Sequence, residues 1–172
     1  PYKQATVGGA PVNDTRPDTR HQVAIMGRLR SHWDQVNGTL HADVTVAFDD
    51  WGVNAQTLDL AWHQSLWDTL QLVPQFRYYS QSQADFYEPF YGGVAIPGEF
   101  YSSDYRLSPY GALSYGIKAQ TTFRGFWKTD WEAAVSYERY LQDADLAIGS
   151  VGTPNPGLIN YHLISFRLTG RF

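Results

Sequence analysis

Tyr161-His162-Leu163-Ile164-Ser165-Phe166-Arg167-Leu168-Thr169-Gly170-Arg171-Phe172, the last twelve residues of the chain, decides how the rest is read. Ile164, Phe166, Leu168 and Phe172 take alternate positions, with Gly170 between the last two, while Ser165, Arg167, Thr169 and Arg171 fill the gaps. A β-strand turns successive side chains to opposite sides, so this stretch predicts a strand with one apolar and one charged face. A helix would scatter both sets around its circumference.

Working back from that strand, the same alternation predicts six more, over residues 22–33, 40–49, 57–67, 70–81, 105–123 and 131–141. In residues 40–49, Leu40, Ala42, Val44, Val46 and Phe48 oppose His41, Asp43, Thr45 and Asp49. In residues 105–123, Tyr105, Leu107, Leu113, Tyr115 and Ile117 oppose Arg106, Ser108, Ser114, Lys118 and Gln120. Each strand has about ten residues or more, the length that crosses a bilayer at the usual tilt. Pro74 and Pro109 cannot donate to a ladder, so a bulge or a local break is expected at each. Gly111 and Gly116 are expected to bend the long fifth strand.

The connections alternate in length. Short turns are expected at 34–38, 67–69 and 124–130, and long loops at 82–104 and 142–160. Short turns at one end and long loops at the other is the arrangement of outer-membrane barrels, whose short side is periplasmic. Trp33, Trp67, Trp131 and Phe172 then gather near the periplasmic boundary, where amphipathic rings are favoured. Such barrels have an even number of strands with both ends periplasmic. Seven strands ending in a descending one therefore predict at least one more before Pro1. The chain reads as the C-terminal part of one larger barrel, unable to close alone, with residues 1–20 an extracellular loop.

Composition agrees. Aromatic residues make up 16% of the 172 positions, yet the mean hydropathy lies on the polar side. A barrel accommodates that combination because only alternate strand residues meet lipid and the lumen is polar. No apolar run of transmembrane-helix length occurs. The net charge of −4 and the lack of a basic block disfavour a nucleic-acid partner. Cysteine is absent, which excludes disulfides and thiolate metal ligands.

Two clusters are candidate sites. The polar faces carry Arg28, Arg30, Arg77, Arg106, Lys118, Arg167 and Arg171 among Asp43, Asp49, Asp59, Glu132 and Glu138. They predict either a charged constriction that selects solutes or a network of cross-strand ion pairs. The second cluster is the 82–104 loop, with Phe86, Tyr87, Phe90, Tyr91, Phe100 and Tyr101. Its rings would either grip a sugar, a flavin-like ring or a partner protein, or pack inward on the loop itself. His41 and His63 share a polar face near Asp43 and Asp59, but two histidines without a third ligand predict hydrogen-bonding residues, not a metal. Asp143 and Asp145 lack the ligand spacing of a calcium loop. No cofactor is expected, and no nucleophile elbow or Ser/His/acid order points to a hydrolase.

A terminal alternating strand ending in Phe172 resembles the signature read by the outer-membrane barrel assembly machinery. Phe76-Arg77-Tyr78-Tyr79-Ser80-Gln81-Ser82-Gln83-Ala84-Asp85-Phe86-Tyr87 and Ser103-Asp104-Tyr105-Arg106-Leu107-Ser108-Pro109-Tyr110-Gly111-Ala112 resemble segments in the C-terminal half of the domain-of-unknown-function 3570 family of bacterial outer-membrane β-barrel proteins. The resemblance implies an integral outer-membrane barrel with no established activity and no catalytic residues. The partners expected are the lipid bilayer and lipopolysaccharide, the assembly machinery through the last strand, the remaining N-terminal strands, and an envelope protein. The leading functional expectation is a channel, or a scaffold or sleeve for another envelope component. An outer-membrane enzyme acting on lipid or peptide, and a soluble β-barrel binding protein, are the alternatives.

Overall fold

A computed structural model describes residues 4–93, 95–125, 129–149 and 158–171, with the backbone alone at Gln4 and Arg171. Phe172 and the side chain of Arg171 therefore lie outside the described residues. Strands β1 (Gln4–Val7) and β2 (Ala10–Asn13) form a hairpin. Strands β3 (Gln22–Trp33), β4 (Gly38–Asp49), β5 (Asn54–Ser65), β6 (Leu70–Gln81), β7 (Tyr110–Arg124), β8 (Asp130–Asp143) and β9 (Tyr161–Arg171) follow. These last seven make one antiparallel sheet in sequential order, with β3 and β9 as its two edges. Both edge strands run in the same direction, away from the end that carries the long loops. The class is all-β and antiparallel, and the sheet is open.

The alternation seen in the sequence becomes two faces because the register never slips. One face joins Leu40 to Trp62, Phe76 to Tyr115, and Ile117 to Tyr137 to Ile164. The other joins Arg28, Asp43, Asp59, Arg77, Ser114, Tyr140 and Tyr161 in a single row across all seven strands. Arg139 and His162, also neighbours in the register, lie on the apolar face, as do Ser31, Gln56, Gln64, Ser80 and Thr121. Among the described residues no second layer of strands covers the sheet, and the 144–148 segment with its 3-10 turn covers only the cap end of the apolar face, at Tyr78, Ser80 and Gly111. Phe166, on the β9 edge, is 82% exposed.

The prolines behave differently from each other. At Pro74 the β5–β6 ladder skips from Ala61–Gln75 to Gln64–Leu72 without changing register. The β6–β7 ladder runs on through Pro74 and Ile117. The missing donor is thus turned to the β5 side and the break costs no bulge. Pro109 stands outside any strand, so β7 begins at Tyr110 and not at 105. Residues Tyr105–Leu107 form a 3-10 turn because the Asp104 carboxylate accepts from the Arg106 amide and caps it. Nor does the register of β7 bulge at its glycines. Gly111 is instead a point of close approach, since a Cβ there would stand 2.3 Å from the Leu146 carbonyl. Gly38 is covered in the same way by the Trp62 indole, 2.1 Å from a notional Cβ.

Apart from single buried residues such as Val73 and Ala112, the clustered core lies outside the large sheet. It sits in a cap at the long-loop end, in two clusters. One is Val53, Ala84, Tyr87 and Leu107, with Trp51 and Phe86 against it. The other is Ala5, Val7 and Tyr101, with Val12, Tyr91 and Ala95. The segment before β3 contributes to this cap through Ala5, Val7 and Val12. The β1–β2 hairpin docks on the 82–104 segment through backbone bonds from Gly8 to Tyr91 (2.9 Å), Tyr91 to Thr6 (3.0 Å) and Thr15 to Tyr101 (2.9 Å). Downstream, Arg20 pairs with Asp49 and lies 4.9 Å over the Trp51 ring, while the Trp51 indole donates to the Thr19 carbonyl at 2.9 Å.

Candidate functional site

The strand register brings Arg28, Arg30, His41, Asp43, Asp59, His63, Arg77, Lys118, Glu132, Glu138 and Arg167 onto one face. Arg106 does not join them. It belongs to the 3-10 turn in the cap, because residues 105–108 do not alternate as a strand, and it pairs with Asp104 at 2.5 Å.

On the charged face, opposite signs meet across neighbouring strands. Arg30 engages the Asp43 carboxylate with both guanidinium nitrogens. Arg77 lies 3.4 Å from Asp59, and Arg167 lies 2.5 Å from Glu132. Glu138 accepts from the Ser114 hydroxyl at 2.5 Å. Between these groups is a recess of about 330 Å³, with Arg30, Asp43, Asp59, Arg77, Ser114 and Glu138 on its lining. The face thus carries cross-strand ion pairs and a polar recess between them.

The His41 and His63 rings face one another with centroids 4.2 Å apart. Asp43 is already engaged by Arg30, and among the described residues no group of three or more His, Asp or Glu side chains is placed to hold a metal ion. The Asp143 carboxylate accepts from the Asp145 amide at 2.9 Å and so caps a 3-10 turn. Trp33 and Trp131 stand on the apolar face at the short-turn end, and Trp67 projects from the 66–69 turn, 70% exposed. Trp33 stacks on Trp62, 5.2 Å away at 26°.

The aromatic loop divides. Tyr87 and Tyr101 are buried, and Tyr91 is held by hydrogen bonds of its hydroxyl to the Phe86 and Ser102 carbonyls. Phe86 packs edge-on to Trp51 at 5.2 Å. Burial pushes the Tyr87 and Tyr91 phenols up from their ordinary value. Only Phe90, 78% exposed, and Phe100 stand well out toward solvent. The loop's rings mostly build the cap.

Two groups were missed in the sequence. The first is a carboxylate–guanidinium knot: Asp104, 2% exposed, accepts from Arg16 at 3.0 Å and from Arg106, while Asp14 pairs with Arg16 at 2.7 Å. Burial alone would raise the Asp104 carboxyl, but the bonds from Arg106 and Arg16 outweigh it and hold it at about 2. The second is a set of tyrosines on the charged face. Tyr79, Tyr110 and Tyr140 surround a recess of about 310 Å³ with Arg77, Ala112 and Ser114. Counting on by twos from Arg77, Ser114 and Glu138 would have found them.

A protein-family model described as Protein of unknown function (DUF3570) matches residues 1–157. No curated protein and no solved structure matches the chain significantly.

Proposed function

The chain belongs to the family of proteins of unknown function DUF3570, and from that premise we propose that it forms part of the wall of an integral β-barrel of the bacterial outer membrane, its charged face lining a channel. The observation that carries this reading is the two-faced sheet itself. Seven strands of 11 to 15 residues keep an apolar face and a charged face in one constant register, and the rest of the described chain covers them only at the cap end. A soluble sheet must cover its apolar face. A barrel wall leaves that to lipid and gives the other face to water.

The remaining placements support the same assignment. The short turns with Trp33, Trp67 and Trp131 form the periplasmic rim, and the cap forms the external one. Arg139 lies toward the cap end of the lipid face, where its long side chain reaches the phosphates of lipopolysaccharide. Strand β9, with its exposed apolar row, is the element presented to the barrel assembly machinery. Further strands complete the ring. The mixed signs of the lumen suit a weakly selective channel better than a one-sign filter. The same wall would serve as a sleeve if another envelope protein occupied it.

The test is flotation of the full-length protein with lipid vesicles, followed by conductance in planar bilayers. Insertion with stepwise conductance is the expected result. A protein that stays in the supernatant without detergent would remove the membrane reading. Insertion without conductance would leave the sleeve and remove the channel.

A further inference from the structure

We propose that the tyrosine-walled recess on the charged face binds one ring of a neutral saccharide. The inference deepens the channel reading, on which it rests, by naming a solute class for the lumen. Its geometry is specific. Ala112 and Ser114, 4% and 9% exposed, form a floor of small side chains. Tyr79 and Tyr110, with ring centroids 5.6 Å apart, rise on one side. Tyr140 rises on the other, backed by Tyr161 in a stack of 4.9 Å and 17°. Arg77 closes the end toward the middle of the sheet. Large rings around a small-residue floor make a slot, which a row of evenly sized side chains would not.

The volume of about 310 Å³ lies at the low end of small-molecule sites, roughly 300–1,000 Å³. That suits one sugar ring. The face of an aromatic ring carries negative potential, and one side of a pyranose presents positively polarised C–H bonds, so the two stack. Sugar hydroxyls both donate and accept. They therefore meet the slot's mixed edges, which are the tyrosine hydroxyls, the Ser114 hydroxyl and the Arg77 guanidinium.

Charge balance selects a neutral ligand. Arg77, the charged residue on the slot's lining, is matched by Asp59, and Arg30 nearby is matched by Asp43. An anion would have to draw Arg77 away from Asp59, and a cation would have to draw Asp59 away from Arg77. A hydroxyl accepts from Arg77 and donates to Asp59 without leaving either charge unmatched. The slot shares Arg77 and Ser114 with the larger charged recess, so the two form one trough leading from the cap toward the middle of the barrel wall. That is the direction a solute entering from outside would travel.

The experiment uses the full-length protein folded in detergent micelles, with maltohexaose, cellohexaose and chitohexaose as separate probes and a glucuronate oligomer as the anionic control. Binding is read by saturation-transfer NMR and calorimetry. Folding of every variant is read by heat-modifiable gel migration. At least one neutral probe should bind the wild type, and Ala112→Trp, which fills the floor, should weaken it about tenfold or more. Tyr140→Leu, which keeps bulk but removes the ring, should do the same and guards against a misfolded Ala112→Trp. Failure of all three neutral probes to bind the folded wild type overturns the proposal. So does binding that survives both substitutions, or tighter binding of the glucuronate oligomer. Vesicle flotation of the same preparation separates the two readings. Protein that floats but binds no sugar overturns the slot alone, whereas protein that does not float overturns the barrel reading.

Discussion

Arg16 and Asp104 are 88 positions apart in the chain and meet at 3.0 Å, the guanidinium of one donating to the buried carboxylate of the other. This bond ties the N-terminal hairpin segment to the turn that precedes β7. Asp104 receives Arg106 as well, so removing the carboxylate takes the partner from Arg106 and leaves Arg16 to Asp14 alone. Asp104→Ala is expected to lower the free energy of cap opening by about 3 kcal/mol. Arg16→Ala leaves the Asp104–Arg106 pair in place and should cost about 1 kcal/mol. Amide exchange at Thr15 and Tyr101, whose backbones bond to one another, measures both.

The same carboxylate makes the cap acid-sensitive. Its folded value of about 2 lies below the ordinary 3.8. A depressed folded value means the contribution is full above the unfolded value and is lost as pH falls through the folded one. The cap should therefore be unaffected down to about pH 4 and loosen between about pH 4 and 2. Near-ultraviolet circular dichroism of the buried tyrosines reads the change. Asp104→Asn should flatten the titration across that window.

Gly38 and Trp62 set a steric prediction. Any Cβ at residue 38 meets the indole at 2.1 Å, and that indole stacks on Trp33. Gly38→Val should displace Trp62 and cost about 1–3 kcal/mol, the usual scale of overpacking. Loss of the Trp33–Trp62 exciton signal in circular dichroism, together with a lower urea midpoint, is the expected pair of readouts.

The two faces should respond differently to the same charge. Leu168 and Thr169 are neighbours on β9 that point to opposite sides. Leu168→Arg places a cation on the apolar face and, on the barrel reading proposed above, should cost up to about 2–4 kcal/mol. Thr169→Arg should change stability by less than about 0.5 kcal/mol. Equal effects in a vesicle-folding titration would contradict the orientation of the wall.

Conductance offers a fifth outcome. Asp59 and Glu138 both line the charged recess. Asp59→Asn combined with Glu138→Gln removes two negative charges beside Arg30 and Arg77, and should shift the reversal potential in a salt gradient toward anions. The stability cost should be about 1 kcal/mol or less for the Asp59–Arg77 pair, since both partners remain in contact with water.

The sheet was legible in the sequence because one rule governs it. Strands Gln22–Trp33 and Leu70–Gln81 match their alternation end to end, since each residue's side is set by parity alone. The start of β7 was not legible. Tyr105 and Leu107 keep the right parity, but a capping carboxylate at Asp104 and a proline at 109 turn them out of the strand. The N-terminal hairpin was missed because four-residue strands are too short to show a period. Its signal was the Gly8-Gly9 pair, both at positive φ, a common two-residue hairpin turn. The charged face was found by its Arg, Asp and Glu residues. Tyr79, Tyr110 and Tyr140 share the parity of the charges but carry no charge that marks their face.

The shared direction of β3 and β9 limits how such a wall can be completed. Hydrogen-bonded edges that run the same way can be zipped only as a parallel seam, which this sheet uses nowhere among its seven strands. Two copies set side by side about a common axis would fare no better, because β9 of one would again meet β3 of the other in parallel. A cylinder with antiparallel neighbours throughout needs an even total, so on the barrel reading proposed above the complement to this sheet would contribute an odd number of strands. Circumference is thereby restricted to discrete sizes, and the narrowest ring open to this wall has eight.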